Sequence, residues 1–275
     1  LQEPLLFDAT VQANIAAGLK LRHVPSSEIK QRVHACAERF GIKHLLDRSA
    51  RKISGGEAQR TSLARAFALE PEIVFLDEPF ASLDPPTREA LLEDLHRILN
   101  ETSTTAVLST HDQEEALRLA DEIAIMNTGR IVQVGHPEVV MNRPADEFVA
   151  GFVGTETVIP GTITASRQGS ISVDIGCREI EAVGDDTPGA KVLVCIRPEN
   201  VTLLTDNGHA TSARNVLPAR VVKIIPRGFY NKVELDAGCP LIAYVTRQSI
   251  EELGLTEGQT VLASFKATAV HIIRK

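Results

Sequence analysis

The apolar run IVFL at 73–76 is followed directly by the two acids Asp77 and Glu78. A short, continuous apolar run that ends in acids is typical of a strand buried on both faces of a parallel sheet. A helix is predicted over 86–100 and a second buried strand over 105–109. This alternation of strands and helices predicts an α/β fold.

The remainder of the first 150 residues fits the same fold class. Residues 28–40 place apolar side chains on one helical face, and a further helix is predicted over 113–120. A strand over 122–126 then leads into a turn. We therefore expect an α/β domain over residues 1–150, followed by a linker at 151–156.

Beyond Gly154 the helical periodicity disappears, and short segments rich in Val and Ile alternate with Gly and Pro turns. This pattern predicts a separate all-β module over 157–275. The module contains an internal repeat, because the segment 189–204 aligns with 258–273 at a constant offset of 69 residues. A chance similarity of turn spacing is the alternative. The two expected copies, each a small OB-like barrel, span about 157–206 and 212–275.

The charge differs between the two parts of the chain. Residues 212–275 carry nine Lys and Arg against five Asp and Glu, whereas residues 1–211 carry 20 against 31. A mildly basic tail without a basic stripe favours a small anionic partner over nucleic acid; an uneven, solvated surface is the alternative. No apolar run approaches the roughly 18 residues of a membrane span. The four cysteines form no CxxC pair, and we expect reduced, mostly buried thiols in a cytosolic protein.

Two groups of residues have the chemistry that ATP hydrolysis requires. An acid at the end of a buried strand can hold Mg²⁺, and a second acid beside it can polarise the attacking water; Asp77 and Glu78 match these roles. Ser54-Gly55-Gly56 precedes a helix-like run, so that backbone N–H groups and the helix dipole offer an anion site. Taken alone, each group is also common as a plain strand end or helix start.

Five motifs in order give the segment 1–150 a resemblance to the nucleotide-binding subunits of ABC transporters. They are Gln2 within LQEPLLFDATVQANI, ISGGEAQR at 53–60, FLDEP at 75–79, ASLD at 81–84, and His111. The resemblance implies an importer ATPase that uses ATP and Mg²⁺. It also implies a head-to-tail homodimer around two ATPs, transmembrane permease subunits as partners, and an indirect link to a periplasmic or extracellular solute-binding protein. The implied location is cytoplasmic, as a peripheral subunit on the inner face of the membrane.

The resemblance also assigns roles to individual residues. Glu78, His111 and Gln2 correspond to the catalytic glutamate, the histidine that senses the γ-phosphate, and the glutamine that contacts Mg²⁺ and water. Asp77 is expected to hold Mg²⁺ together with Gln2. Glu57 stands where the family more often has glutamine. The residues expected to contact the nucleotide are Ser54, Gly55, Gly56, Glu57 and Asp84.

One family motif is missing from the sequence. GxxxxGK[ST], whose backbone and lysine hold the β- and γ-phosphates, does not occur, and the chain begins with Leu1 rather than Met. We therefore expect a truncated chain that neither binds ATP with normal affinity nor hydrolyses it alone. A genuine deletion is the alternative.

The β module resembles the TOBE modules of importer ATPases through the phrase IRPEN at 196–200. Its second copy also resembles molybdate-binding, Mop-type domains. That resemblance implies a site for molybdate or tungstate, tetrahedral dianions that need several N–H and O–H donors and a cation. The first copy lacks the Ser-Ala-Arg-Asn stretch, so we expect no equivalent site there. The positions expected to bind the oxyanion are Ser212, Ala213, Arg214, Asn215, Thr246, Ser249, Lys266 and Ala267.

Three functions are compatible with the sequence. The favoured one is the ATPase subunit of a molybdate or tungstate importer, whose tail senses the oxyanion and shuts down import. The second is an importer ATPase for sulfate, ferric ion, a sugar or a polyamine, with a purely structural tail. The third is a non-catalytic oxyanion-binding protein with an ATPase remnant. The joint presence of Gln2, Asp77, Glu78 and His111 argues against the third.

Overall fold

The computed structural model describes residues 4–205 and 211–275 of the 275-residue chain. The chain divides into two compact units, 1–120 and 121–275. The first unit contains the predicted parallel strands and their helices. The second contains the all-β module together with residues 121–156, which precede that module in the chain. The domain boundary near residue 150 stays a prediction.

The first unit consists mainly of helices, and every helix predicted for it is present. Four of them begin where the sequence supplies a cap: Thr10, Ser54, Asp84 and Asp112 each accept a hydrogen bond from a backbone N–H of the first turn. The helices are α1 (Val11–Leu21), α2 (Ser26–Arg39), α3 (Gly55–Phe67), α4 (Pro85–Thr102) and α5 (Gln113–Leu119).

Two strands lie beside these helices: β1 (Ile73–Asp77) and β2 (Thr105–Ser109). They pair in parallel, with Asp77 opposite Ser109, and α4 connects them. One face of β1, with Val74 7% exposed, packs on the helices. The prediction that both strands are fully buried is wrong, because within the described residues the helices cover one face only. On the other face Phe75 and Val107 are 77% and 51% exposed.

The second unit begins with a hairpin and two short helices: β3 (Ile123–Asn127), β4 (Arg130–Gly135), α6 (Pro137–Asn142) and α7 (Glu147–Phe152). The first repeat contributes β5 (Thr157–Arg167), β6 (Ser170–Asp174), β7 (Glu179–Val183), β8 (Lys191–Ile196) and β9 (Thr202–Leu204). The second repeat contributes β10 (Asn215–Arg227), β11 (Tyr230–Asp236), β12 (Pro240–Thr246), α8 (Arg247–Glu252), β13 (Thr260–Phe265) and β14 (Val270–Arg274). Within the two described ranges, no helix combines the length and the apolar character of a transmembrane span.

The order of elements supports the predicted internal repeat. Both copies have five strands, and a short 3-10 turn precedes the last strand of each, at 198–200 and at 267–269. Gly176 and Gly238 occupy equivalent turns and share a φ of 86°, a left-handed conformation that glycine adopts without strain. The extra residues predicted for the second copy form α8.

The two repeats exchange their last strands. One sheet has the order β14-β8-β5-β6-β7 and the other β12-β11-β10-β13-β9, so each sheet contains the final strand of the other copy. Buried side chains of both sheets form one core, with Ile163 and Val194 from one copy and Val233 and Phe265 from the other. The two expected barrels are therefore interlocked, because each completes its sheet with a strand of its neighbour.

Candidate functional site

The ends of β1 and β2 bring Glu78 and His111 together. Glu78 follows β1, and its backbone N–H donates to the carbonyl of Ser109 at 2.9 Å. Its φ of 43° lies in the left-handed region, which is uncommon for a residue with a side chain and recurs at functional sites. Glu78 Oε1 lies 3.2 Å from His111 Nδ1, the distance of a hydrogen bond donated by the ring. The His111 side chain is 76% exposed and is therefore open to a ligand.

Asp77 occupies the last position of β1, directly before Glu78. Carboxylate oxygens are the ligands that Mg²⁺ prefers, and this ion usually takes one or two of them and completes its shell with water and phosphate oxygens. Among the residues that the structure describes, no group of three or more His, Cys, Asp or Glu could hold a metal. A single strand-end carboxylate therefore fits Mg²⁺ delivered with a nucleotide, and does not fit a closed protein metal site.

A partly buried ion-pair network holds the loop that carries His111. Glu115 is only 3% exposed and accepts hydrogen bonds from Arg88 Nε at 2.8 Å and from the Thr110 hydroxyl. Arg88 also pairs with Asp112. Because Thr110 and Asp112 flank His111, the network fixes this loop on α4. The sequence analysis missed Arg88 and Glu115, since an ion pair between residues 27 positions apart leaves no local pattern.

Ser54 and Glu57 cap the N-terminus of α3 reciprocally. The Ser54 hydroxyl accepts from the Glu57 N–H at 3.3 Å, and the Glu57 carboxylate accepts from the Ser54 N–H at 2.7 Å. This second hydrogen bond lowers the pKa of Glu57. Of the N–H groups that the sequence analysis expected to bind an anion, that of Ser54 already has a partner within the chain. The N–H groups of Gly55 and Gly56 are the first-turn donors without an intrahelical partner.

Gly56 lies against the start of α4. A Cβ at Gly56 would come within 2.4 Å of Thr87 Cγ2, so this close approach requires glycine, whereas nothing in the described structure lies within 4 Å of a Cβ at Gly55. Asp84 caps α4 by accepting from the Thr87 N–H at 3.1 Å, and its hydrogen bonds with Thr87 lower the pKa of Asp84. The structure therefore brings the ISGGE and ASLD motifs side by side.

Gln2 lies outside the described residues, so its predicted contacts with Mg²⁺ and water stay predictions. The segment that follows it is held against α1 and α3. Asn14 is fully buried; it accepts from the Phe7 N–H at 2.8 Å and donates to the Phe7 carbonyl at 3.1 Å. Arg65 donates to the Leu5 carbonyl at 2.9 Å and lies over the Phe7 ring. The sequence analysis singled out neither Asn14 nor Arg65.

In the second unit, the pairing of β10 with β13 brings the predicted oxyanion residues 212–215 next to Lys266. Asn215 lies opposite Phe265, so Arg214 and Lys266 both lie just beyond this pair. Lys266 is exposed, and its side chain makes no hydrogen bond or ion pair with any residue in 4–205 or 211–275. Its ammonium group is thus open to an anion at this end of the sheet.

Two members of this group already have partners within the chain. Asn215 is 3% exposed and forms two hydrogen bonds with the backbone of Glu181. The N–H of Ala213 donates to the Thr211 hydroxyl at 3.1 Å. The oxyanion role of Asn215 and Ala213 stays a prediction, and the structure gives both a local role as well.

Thr246 and Ser249 lie at the other end of the same sheet. Thr246 pairs with Tyr230, which pairs with Arg227 at the end of β10 far from Asn215. The Thr246 hydroxyl caps α8 by accepting from the Ser249 N–H at 3.2 Å, and the two hydroxyl oxygens lie 2.9 Å apart. The eight predicted oxyanion residues therefore form two groups at opposite ends of β10.

The family model described as "ABC transporter" matches residues 1–81, and the model described as "TOBE domain" matches residues 211–272. The molybdate/tungstate import ATP-binding protein WtpC of Pyrococcus horikoshii is 43% identical over 266 residues, which cover 96% of this chain and 74% of that protein. WtpC of Pyrococcus abyssi is 40% identical over the same shares of both chains. The sulfate/thiosulfate import ATP-binding protein CysA of Nocardia farcinica is 39% identical over 92% of this chain and 70% of its own length.

Proposed function

Since the chain belongs to the ATP-binding proteins of ABC importers, we propose that it hydrolyses ATP to drive the import of molybdate or tungstate. We propose further that its all-β unit senses the same oxyanions. The contact between Glu78 and His111 is the observation that carries the catalytic part. The exposed Lys266 and the similarity to two molybdate/tungstate import proteins support the choice of substrate. The similarity to a sulfate/thiosulfate import protein makes sulfate the second candidate.

In the proposed mechanism, Glu78 orients and polarises the water that attacks the γ-phosphate. In its doubly protonated form, the His111 ring donates from Nδ1 to the Glu78 carboxylate and from Nε2 to a terminal phosphate oxygen. Asp77 would hold Mg²⁺, which would supply charge neutralisation for the phosphates of the nucleotide. Arg88 and Glu115 act indirectly, because they position the loop of His111 on α4.

A head-to-tail homodimer is part of the proposal. The N–H groups of Gly55 and Gly56 at the start of α3 form an anion-binding surface that completes the ATP site of a second chain. A second chain would also bring together the two groups of predicted oxyanion residues, which lie at opposite ends of β10 within one chain. Thr246 and Ser249 lie far along the sheet from Lys266 within one chain, and in the proposed dimer they meet the Lys266 of the other.

We place the permease contact at a groove of about 590 Å³ beside α1 and α3. Leu5, Phe7 and Leu21 line it with 64%, 60% and 81% of their surface exposed. Apolar side chains clustered on a surface mark protein contacts, and the ATP-binding proteins of ABC importers work with membrane permeases. This contact would hold the chain at the cytoplasmic face of the membrane. The solute-binding protein would act on it only through the permease.

ATPase assays on the full-length protein with its permease test the catalytic assignment. Glu78→Gln keeps the shape of the side chain but removes the carboxylate, so turnover is expected to fall about 100-fold or more with ATP binding retained. Glu93→Gln, on the exposed surface of α4, is the matched control and should leave turnover unchanged. Retained turnover in Glu78→Gln would show that another group polarises the water.

Calorimetric titration of the full-length protein with molybdate, tungstate and sulfate tests the sensor. Lys266→Ala removes a charge-assisted donor, and affinity for the bound oxyanion is expected to fall at least about tenfold. Lys223→Ala, an exposed lysine of β10, is the matched control. Preferential binding of sulfate would favour the second candidate. Absence of micromolar binding for all three anions would remove the sensor and leave the ATPase assignment intact.

A further inference from the structure

The same four-residue pattern, Asp-x-Gly-Cys, closes a hairpin in each repeat. It occupies 174–177 between β6 and β7, and 236–239 between β11 and β12. In both turns the Asp carboxylate accepts a hydrogen bond from the Gly N–H at 2.9 Å. Both glycines have a φ of 86°. Cys177 and Cys239 therefore occupy equivalent positions in two turns of equal geometry.

These two turns face each other across the interlocked repeats. A Cβ at Gly238 would lie 3.1 Å from Cys177 Cβ and 3.7 Å from Cys177 Sγ. Cys239 follows Gly238 directly in the chain, and the Cys177 thiol lies close enough to raise the pKa of Cys239. The sequence analysis expected mostly buried thiols, and Cys36 and Cys195 are indeed buried, but Cys177 is exposed and Cys239 is half-buried. The protein thus has a contacting thiol pair that solvent can reach through Cys177.

We propose that Cys177 and Cys239 form a redox-active dithiol, which a low-molecular-weight disulfide oxidises to an intramolecular disulfide that joins the two repeats. The Cys177 thiolate attacks one sulfur of the small disulfide, forms a mixed disulfide and releases the first small thiolate. Cys239 then gives up its proton to solvent, attacks Cys177 Sγ as the thiolate and releases the second small thiolate. The protein loses two electrons and two protons, and the small disulfide becomes two thiols.

The environment of each thiol assigns the order of attack. Burial raises the pKa of Cys239 to about 12, and the neighbouring Cys177 thiol adds to this shift. Cys239 therefore keeps its proton at neutral pH, while the exposed Cys177 meets the small disulfide first. Once the mixed disulfide has formed, the adjacent Cys239 resolves it. This site is independent of the proposed nucleotide and oxyanion functions.

The test exposes the full-length protein to oxidised glutathione, unfolds it in denaturant, blocks the free thiols with iodoacetamide, and maps peptides without reduction. We expect a peptide pair linked through Cys177 and Cys239, with Cys36 and Cys195 alkylated in the same digest. The linked protein should run as a monomer on a non-reducing gel. Its melting temperature should rise by several degrees, because the cross-link restricts the unfolded chain, and dithiothreitol should reverse the rise.

Two variants make the test specific. Cys239→Ser should stop at the mixed disulfide on Cys177, and Cys177→Ser should gain neither the mixed disulfide nor the link; circular dichroism confirms that both fold. The proposal is overturned if wild-type protein also stops at the mixed disulfide. A covalent dimer linked through Cys177 of two chains would overturn it equally.

Discussion

The side-chain amide of Asn215 bonds to both backbone polar groups of Glu181: Nδ2 donates to the carbonyl at 2.9 Å, and Oδ1 accepts from the N–H at 2.8 Å. The first repeat makes the corresponding contact with a shorter side chain, since Thr157 Oγ1 accepts from the Ile242 N–H at 3.2 Å. Thr157 and Asn215 begin β5 and β10, whereas their partners lie in β7 and β12. The first strand of each repeat therefore forms an equivalent side-chain-to-backbone hydrogen bond with the third strand of the other repeat.

Asn215→Ala is expected to lower the free energy of unfolding of the second unit by about 1–3 kcal/mol, because it removes two hydrogen bonds and leaves half-buried backbone groups of Glu181 without their partner. Thr157→Val, which removes one hydrogen bond, is expected to cost about 1 kcal/mol. Urea unfolding followed by circular dichroism measures both. The exposed Thr202→Val on β9 should change stability by less than about 0.5 kcal/mol. Wild-type stability of Asn215→Ala would show that the contact to Glu181 contributes nothing.

Gly56→Ala is expected to destabilise the first unit by about 1–3 kcal/mol, because the new Cβ would lie 2.4 Å from Thr87 Cγ2 and would force α3 and α4 apart. Gly55→Ala is the matched control, since its Cβ meets open space and alanine favours the helix. Thermal unfolding of the two variants in parallel gives the difference. Equal melting temperatures would mean that the Thr87 side chain can move away from the new Cβ without loss of stability.

Arg88→Ala is expected to destabilise the first unit by about 2 kcal/mol or more, because it leaves the buried Glu115 carboxylate without its cation. The loop of His111 would lose its anchor, so the ATPase rate of the full-length protein should fall as well. Arg88→Ala together with Glu115→Gln should recover part of the stability, since the unpaired charge is gone. If Arg88→Ala hydrolyses ATP at the wild-type rate, the network of Arg88 and Glu115 does not contribute to catalysis.

The second unit should lose stability as the pH falls below about 6.5, the ordinary pKa of histidine. Burial lowers the pKa of His271, the hydrogen bond to the Pro144 carbonyl opposes the shift, and Arg143 adds to it. The unfolded chain therefore takes up the proton first, and stability that is complete above pH 6.5 is lost on acidification. As the pH is lowered from 8 to 5.5, the urea midpoint of the second unit should fall less steeply in His271→Gln than in the wild type. The exposed His23→Gln should follow the wild type, and parallel slopes for all three proteins would exclude His271.

The elements whose determinants are local were predictable from the sequence. The start of α3 follows from Ser54 and Glu57 three residues apart, and α4 begins directly after its Asp84 cap. The repeat was visible because equivalent turns need glycine at equivalent positions, such as Gly176 and Gly238. In these cases the interacting groups lie within one turn of helix or one hairpin, so that a short window of sequence contains all of them.

Contacts between segments that are far apart in the sequence were decided by the tertiary structure alone. Glu78 reaches His111 only because β1 and β2 pair in parallel in one register. The exposure of Phe75 depends on which face of β1 the helices cover. The exchange of β9 and β14 depends on how the two copies pack, since identical local patterns would serve a closed barrel equally well. No spacing in the sequence encodes these contacts, because they arise from the free energy of burying the separate core of each unit.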